Sequence, residues 1–392
     1  MIRLGVSVYP EQETIEEIDQ YLAMASKYGF TKIFTSLFSV PGTKEEVFNY
    51  FKNFIDIAHK YGMEVCGDAN TDFLRKMGAD EKNLAIFKKM GLDTLRMDSC
   101  YMDERDVTLI NNNYGIRIEL SAGFVSIIDQ ALANGANPEN LSVCHNFYPE
   151  RYTAPALKPI DEVNTHWKEK GVKVAMIISS QVPGTHGPWP VSDGLPTLED
   201  HRFLPVETQL KHMIALNNID EVLFGNAFAS EEEFKAIDRV MKETYIHIPP
   251  YSKEEMGMLA MYLPHGDLTR MMLKIHLDET ISEKEKDILF NTPIHSVASD
   301  GVYYMLRSRW TRITRKGESI PVRPCNQTHY KRGDVVIVND NLAHYRAEVQ
   351  IVLKDIPVDG QRNLLGHIDE SEMIIIDELE RERVTNFAFE KE

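Results

Sequence analysis

Disulfide chemistry is the first thing this chain does without. It has four cysteines, Cys66, Cys100, Cys144 and Cys325, in 392 residues. None stands in a CxxC pair, so neither a cystine framework nor a zinc site is indicated. Small buried thiols in a reducing compartment are expected. Long apolar runs are also missing. No stretch reaches the ~18 residues that a helical membrane span needs. The opening Met1-Ile2-Arg3-Leu4-Gly5-Val6-Ser7 runs straight into a strand-like segment and lacks the charged and apolar regions of a signal peptide. A cytoplasmic protein is expected. Positive charge is scarce: 43 Lys and Arg face 60 Asp and Glu, a net charge of -17. That balance argues against nucleic acid or an anionic membrane as a partner, yet leaves room for a local basic pocket.

What the chain has is a repeat. Seven times in the first 220 residues a helix-like run ends in Gly, or once in Asn, and a short apolar strand follows. The copies are Lys27-Tyr28-Gly29-Phe30, Lys60-Tyr61-Gly62-Met63, Lys89-Met90-Gly91-Leu92, Asn113-Tyr114-Gly115-Ile116, Ala133-Asn134-Gly135-Ala136, Glu169-Lys170-Gly171-Val172 and Leu216-Asn217-Asn218-Ile219. Gly and Asn suit the left-handed position just past a helix, where a Cβ is costly. With the first strand, the spacing predicts eight strands, at Ile2-Tyr9, Lys32-Phe38, Glu64-Ala69, Thr94-Asp98, Ile116-Ala122, Leu141-Phe147, Lys173-Gln181 and Glu221-Ala227. Eight alternating strands and helices imply a (β/α)8 barrel, with chemistry at the C-terminal strand ends. Apolar faces at Ile15, Ile18, Leu22 and Ala25, and at Val47, Phe51, Phe54, Ile55 and Ala58, mark two of the helices. Ser230 to Glu233 form a capping box before the last helix.

One connection breaks the rhythm. From Val182 to Pro205 the pattern is Pro- and Gly-rich, including Trp189 and Pro190, and such long loops are usually functional. After the barrel, residues 1–246, the Tyr245 to Pro250 segment is expected to be a linker. Residues 247–392 are then expected to form a small, mostly antiparallel β-barrel. Its strand signals lie at Val297–Arg309, Asp334–Val338, Ala347–Leu353 and Met373–Ile376, with a helix near Ser282–Phe290. Arg307, Arg309, Arg312 and Arg315 around Trp310 are expected on an exposed rim rather than against nucleic acid.

The strand ends are polar. With period two, Arg96 and Asp98 share a face, as do Arg117 and Glu119. Asp68, Asp98 and Glu119 therefore point into the barrel mouth from three adjacent strands. Buried carboxylates need a reason. They form a structural network with Arg96 and Arg117, or a glycosidase pair, or a divalent metal site with His145. Spacing alone does not separate a hydrolase from an isomerase or aldolase. Asn146, Gln181 and Asn226 close strands six, seven and eight. In the long loop, His201 and Arg202 are candidates to grip an anion, Arg202 bidentately; its alternative is pairing with Glu199 or Asp200.

Three segments carry a resemblance: Leu4-Gly5-Val6-Ser7-Val8-Tyr9-Pro10, Gly194 to Arg202, and Asn339-Asp340-Asn341-Leu342-Ala343-His344-Tyr345-Arg346-Ala347-Glu348. Together they resemble the bacterial 6-phospho-N-acetylmuramidases, over both domains. The resemblance implies a barrel joined to a cyclophilin-like β domain. It also implies cytoplasmic release of N-acetylmuramic acid 6-phosphate from N-acetylglucosamine in peptidoglycan recycling. The partner is then a small phosphorylated amino-sugar disaccharide. No cofactor and no metal are expected. On geometry, Asp68 and Glu119 are the expected catalytic pair, with Asp98 orienting or alternative. Arg346 is a second candidate for the substrate's two anionic groups. The β domain would cover the mouth, or else only stabilise the chain or pair it into a homodimer. The rival functions are a metal-dependent sugar-phosphate isomerase or epimerase and a non-enzymatic carbohydrate-binding protein.

Overall fold

In the computed structural model the eight apolar segments become eight parallel strands: β1 (Arg3–Ser7), β2 (Phe30–Ser36), β3 (Glu64–Ala69), β4 (Thr94–Met97), β5 (Arg117–Ser121), β6 (Leu141–Cys144), β7 (Lys173–Ile178) and β8 (Glu221–Phe224). They pair in sequence order, and β1 returns to β8 with Leu4 opposite Val222, closing a (β/α)8 barrel. The structure describes every residue except 189–192, 253, 255–256, 258–262, 298–302 and 392, so Trp189 and Pro190 of the long loop lie outside the described residues.

The connecting helices start and stop where their caps dictate. Thr14 and Glu17 form a capping box on Ile15–Lys27, and Thr43 and Glu46 do so on Lys44–Lys60. Each repeat ends with positive φ: Gly171 at 71° is typical, and Asn217 supplies the one non-glycine copy at 56°. Val47, Phe51, Phe54, Ile55 and Ala58 are all fully buried, which is the expected face of the second helix. Inside the barrel, Phe34, Cys66, Cys144, Ala175, Ile177 and Leu223 pack with Tyr9 and Ala227. The helix Glu231–Thr244 carries the Ser230–Glu233 capping box.

Two compact units share the chain: Met1–Ile214 with Asn218–Asp238, and Ala215–Asn217 with Arg239–Glu392. The second unit adds β9 (Tyr245–Ile248), β10 (Gly266–Thr269), β11 (Met271–Leu277), β12 (His295–Ser296), β13 (Met305–Ser308), β14 (His329–Tyr330), β15 (Asp334–Val338), β16 (Val349–Val352), β17 (Ile356–Pro357), β18 (Arg362–Ile368) and β19 (Asn386–Lys391). Seven of them form one sheet in the order β12-β19-β11-β18-β15-β16-β13. All its pairings are antiparallel except β11 with β19. A bridge from Val297 to Ser308 nearly closes it.

Three expectations change here. The Tyr245–Pro250 linker is strand as far as Ile248 and pairs with β10, because its alternating residues prefer a pleated ladder until Pro249 ends it. The Met373–Ile376 run is the start of a helix, Met373–Glu380, that buries Ile375, Ile376 and Leu379 on one face. Of the Val297–Arg309 run, Met305–Ser308 is strand and 298–302 lie outside the described residues.

Candidate active site

Register fixes the depth of each polar side chain. Successive register partners run Ser36, Asp68, Arg96, Glu119, Ser142, Lys173. That line begins at the last residue of β2 and arrives at the first residue of β7. Barrel strands are tilted and staggered, so a row of partners descends from the mouth to the floor. Asp68 therefore sits near the mouth, Arg96 below it, and Glu119 deeper still.

The depths set the chemistry. Glu119 is 1 % exposed. Its Oε2 takes a 2.7 Å hydrogen bond from the Lys32 ammonium, and Lys32 also donates to Glu221 at 2.6 Å. Burial pushes the Glu119 carboxyl up, but Lys32 and Arg96 outweigh it and hold the group below the usual carboxylate value. Glu119 is thus a fixed anion under the site. The expectation that it faces the mouth beside Asp68 is corrected: it lies two residues before the end of β5, and the stagger carries it inward. Lys32, at the third residue of β2, takes the place expected for Arg117 in this network. Its signal in the sequence was a lysine at an inward position of a core strand.

Asp68 differs in every respect. Its side chain is 13 % exposed, and its nearest cation, Arg96 Nε, stays 3.5 Å from Oδ1. That oxygen is buried without a hydrogen-bond partner. Burial raises the carboxyl to about 7; Arg96 opposes the rise, and the Asp98 and Glu119 charges add to it. A group that keeps its proton near neutrality, at a barrel mouth, is suited to donate it. Asp98, exposed, continues the ladder past β4 through its N–H to Ala69 O at 3.0 Å.

The remaining candidates divide. Asn146 is exposed at the end of β6 and accepts 2.8 Å from Arg96 Nη2. Gln181 is exposed after β7. Asn226 is buried and ties Ser180 and Thr185 together, shaping the loop after β7. His201 is buried against His212 at 2.7 Å. Arg202 is 1 % exposed. It donates to Glu199 at 2.6 and 2.7 Å and to the carbonyls of Tyr148, Asp193 and Glu150 at 3.0, 3.0 and 3.1 Å. Its fork holds the loop together. Arg346 belongs to the second unit and pairs with Asp340 at 3.1 Å. In that unit Arg307 and Arg312 meet Glu348, and Arg315 meets Asp287. His145 is a core histidine on Asn164, lowered to about 4 by burial. Among the described residues, no group of three or more His, Cys, Asp or Glu is placed to hold a metal ion.

Sequence reasoning also missed Glu13, beyond β1. It accepts from Tyr9 N at 3.2 Å, meets His186 of the loop after β7, and is raised to about 7, chiefly by burial. It does not end a strand, so no strand-end pattern marks it. A cavity of about 370 Å³ lies along that loop, with Arg151, Gln181, Thr185 and Asn226 in its wall.

A closed (β/α)8 barrel with carboxylates at the C-terminal ends of its strands defines a class, the (β/α)8-barrel proteins whose sites lie on that face. The chain belongs to the 6-phospho-N-acetylmuramidase family, whose N-terminal part matches residues 4–239 and whose C-terminal part matches residues 271–390. It is accordingly a glycoside hydrolase. An uncharacterized Bacillus cereus protein is similar over 100% of both chains, with 32% identity and a TM-score of 0.82. A conserved Enterococcus faecalis protein of unknown function shares the fold over 100% of this chain and 96% of its own, with 22% identity and a TM-score of 0.67. No curated protein sequence matches. Among the described residues, no helix is long and apolar enough to cross a membrane.

Proposed function

We propose that the protein cleaves the glycosidic bond between N-acetylmuramic acid 6-phosphate and N-acetylglucosamine, in the cytoplasm, during peptidoglycan recycling. The family match supports the reaction class. The observation that carries the site is Asp68, a carboxyl raised to about 7 at the barrel mouth.

Asp68 is the general acid. Its proton passes to the bridging oxygen as the C1–O bond breaks, and the freed sugar leaves as an alcohol. Asp98, exposed at the next strand end, is the second substrate-facing carboxylate. It either takes a proton from the water that adds to C1, or attacks C1 and is later released by water. The anomer first formed, read by proton NMR, decides between these routes. Glu119 positions Arg96 from below. The 6-phosphate is assigned to the cavity along the loop after β7, where Arg151 is the exposed cation.

The test is incubation with the phosphorylated disaccharide, reading released N-acetylglucosamine by mass spectrometry. Asp68→Asn should slow release by at least ~10²-fold while the fold persists. Equal rates in the variant and the parent would remove Asp68 from the mechanism.

A further inference from the structure

We infer that Arg96 receives the carboxylate of the substrate's lactyl ether, exchanging its loose contact with Asp68 for a two-point contact with the substrate. This rests on the substrate reading above and names the residue that selects a muramic over a plain glucosamine sugar.

Two buried arginines at this end of the barrel make the contrast. Arg202 spends its fork on Glu199 and three carbonyls, at 2.6 to 3.1 Å. Arg96 makes one hydrogen bond to a neighbouring oxygen, 2.8 Å to Asn146 Oδ1, and otherwise meets only the weakly bonding sulfur of Cys144 at hydrogen-bond range. Its carboxylate contacts are 3.5 Å to Asp68 and 3.7 Å to Glu119. Both exceed the ~2.7–2.9 Å of a charge-assisted hydrogen bond. The guanidinium lies over the Phe34 ring, 5.7 Å from its centroid, which fixes its plane. Above it, the buried Asp68 Oδ1 has no hydrogen-bond partner. A fork so placed beneath the mouth is incompletely used, and a carboxylate is the group whose geometry matches it.

Charge balance points the same way. Lys32, Arg96 and Arg3 carry three positive charges against Glu119, Glu221 and Glu64, with Lys32 bridging the first two and Arg3 the last two. Asp68 is the group left over. A substrate carboxylate on Arg96 adds a negative charge beside Asp68 and withdraws its cation, so Asp68 holds its proton more firmly in the complex. Of the other groups facing this pair, those that burial perturbs are moved away from neutrality. Burial raises the Cys66 thiol on β3 and the Tyr9 phenol after β1, raises the Cys144 thiol on β6 to about 12, and lowers His145 to about 4. Asp98 flanks the pair on the mouth side. A sugar with a hydroxyl in place of the lactyl ether leaves Arg96 facing Asp68, and the acid is lost at lower pH.

The test compares the phosphorylated disaccharide with one whose lactyl ether is replaced by hydroxyl, in the full-length protein, Arg96→Gln and Arg96→Lys. The expected parent preference for the lactyl substrate in kcat/KM is at least about tenfold. Arg96→Gln should shrink it to about threefold or less, mainly through KM, while Arg96→Lys retains part of it. In the parent, kcat for the lactyl substrate should persist to higher pH than kcat/KM, because kcat reports the complex. A folded Arg96→Gln chain with undiminished preference would overturn the inference. Should that variant not fold, calorimetry of N-acetylmuramic acid 6-phosphate against N-acetylglucosamine 6-phosphate, on the parent and Arg96→Lys, takes its place. Tighter muramic binding that weakens in Arg96→Lys supports the inference; equal binding in the parent overturns it. A parent that cleaves neither disaccharide defeats the substrate reading, and the binding comparison still decides on Arg96.

Discussion

Folding carries the Asp68 carboxyl out of water, where it ionises near 3.8, to a rim where ionisation waits until about 7. Between those values the unfolded chain has released the proton and the folded one has kept it. Stability therefore falls as pH rises from about 4 to 7 and levels off above. At pH 8 the cost is on the order of 4 kcal/mol. Asp68→Asn has no proton to lose, so it should be more stable than the parent at pH 8, and the gain should vanish near pH 4. Urea unfolding at the two pH values checks this; a gain that is the same at both would mean the carboxyl is not perturbed. The same residue shows how far the sequence could be read. A carboxylate at the end of a core strand marked Asp68. Glu119 carried the same mark and turned out to lie deep, because strand stagger is invisible in a single strand's alternation. Arg202 was open to two readings, an anion grip or a pairing with Glu199 or Asp200; the fold shows the Glu199 pairing, and only the fold shows the carbonyls of Tyr148, Glu150 and Asp193 that fill the rest of its fork.

At the scale of elements, the barrel was legible because one local rule repeats: an amphipathic helix, a left-handed stop, a strand. Asn217, with φ of 56°, does the work of glycine in the last copy. The second unit repeats no such rule, and there local preference misleads. Met373 to Ile376 favour strand by composition, yet the helix wins because it buries Ile375, Ile376 and Leu379 together. Lys32 escaped notice since its meaning lies in pairing across elements: it joins β2 to Glu119 on β5 and Glu221 on β8. Lys32→Met would leave two buried carboxylates short of a cation, and should destabilise the protein by about 3–5 kcal/mol. Adding Glu119→Gln should give back part of that loss, since the two residues are directly coupled. Chemical denaturation of both variants measures it. Strictly additive losses would show that Lys32 and Glu119 act independently.

For the whole molecule, the -17 charge and the proposed substrate pull against each other. A disaccharide bearing a carboxylate and a phosphate is repelled at long range by an acidic protein. It is attracted only within the reach of Arg96 and Arg151, each of which already faces a carboxylate. At about 0.01 M salt the repulsion extends some 30 Å, and at about 0.1 M only about 10 Å. Added salt therefore screens the distant acidic surface before it weakens contacts inside the mouth. The expected result is a kcat/KM that rises severalfold between these ionic strengths, opposite to the decline of an electrostatically steered enzyme. Initial rates at substrate levels well below KM, with the counterion held constant, measure it directly. A steady fall with salt would mean that the mouth projects a net positive field despite the charge of the chain, and the anion would then be recognised before it enters rather than at Arg96.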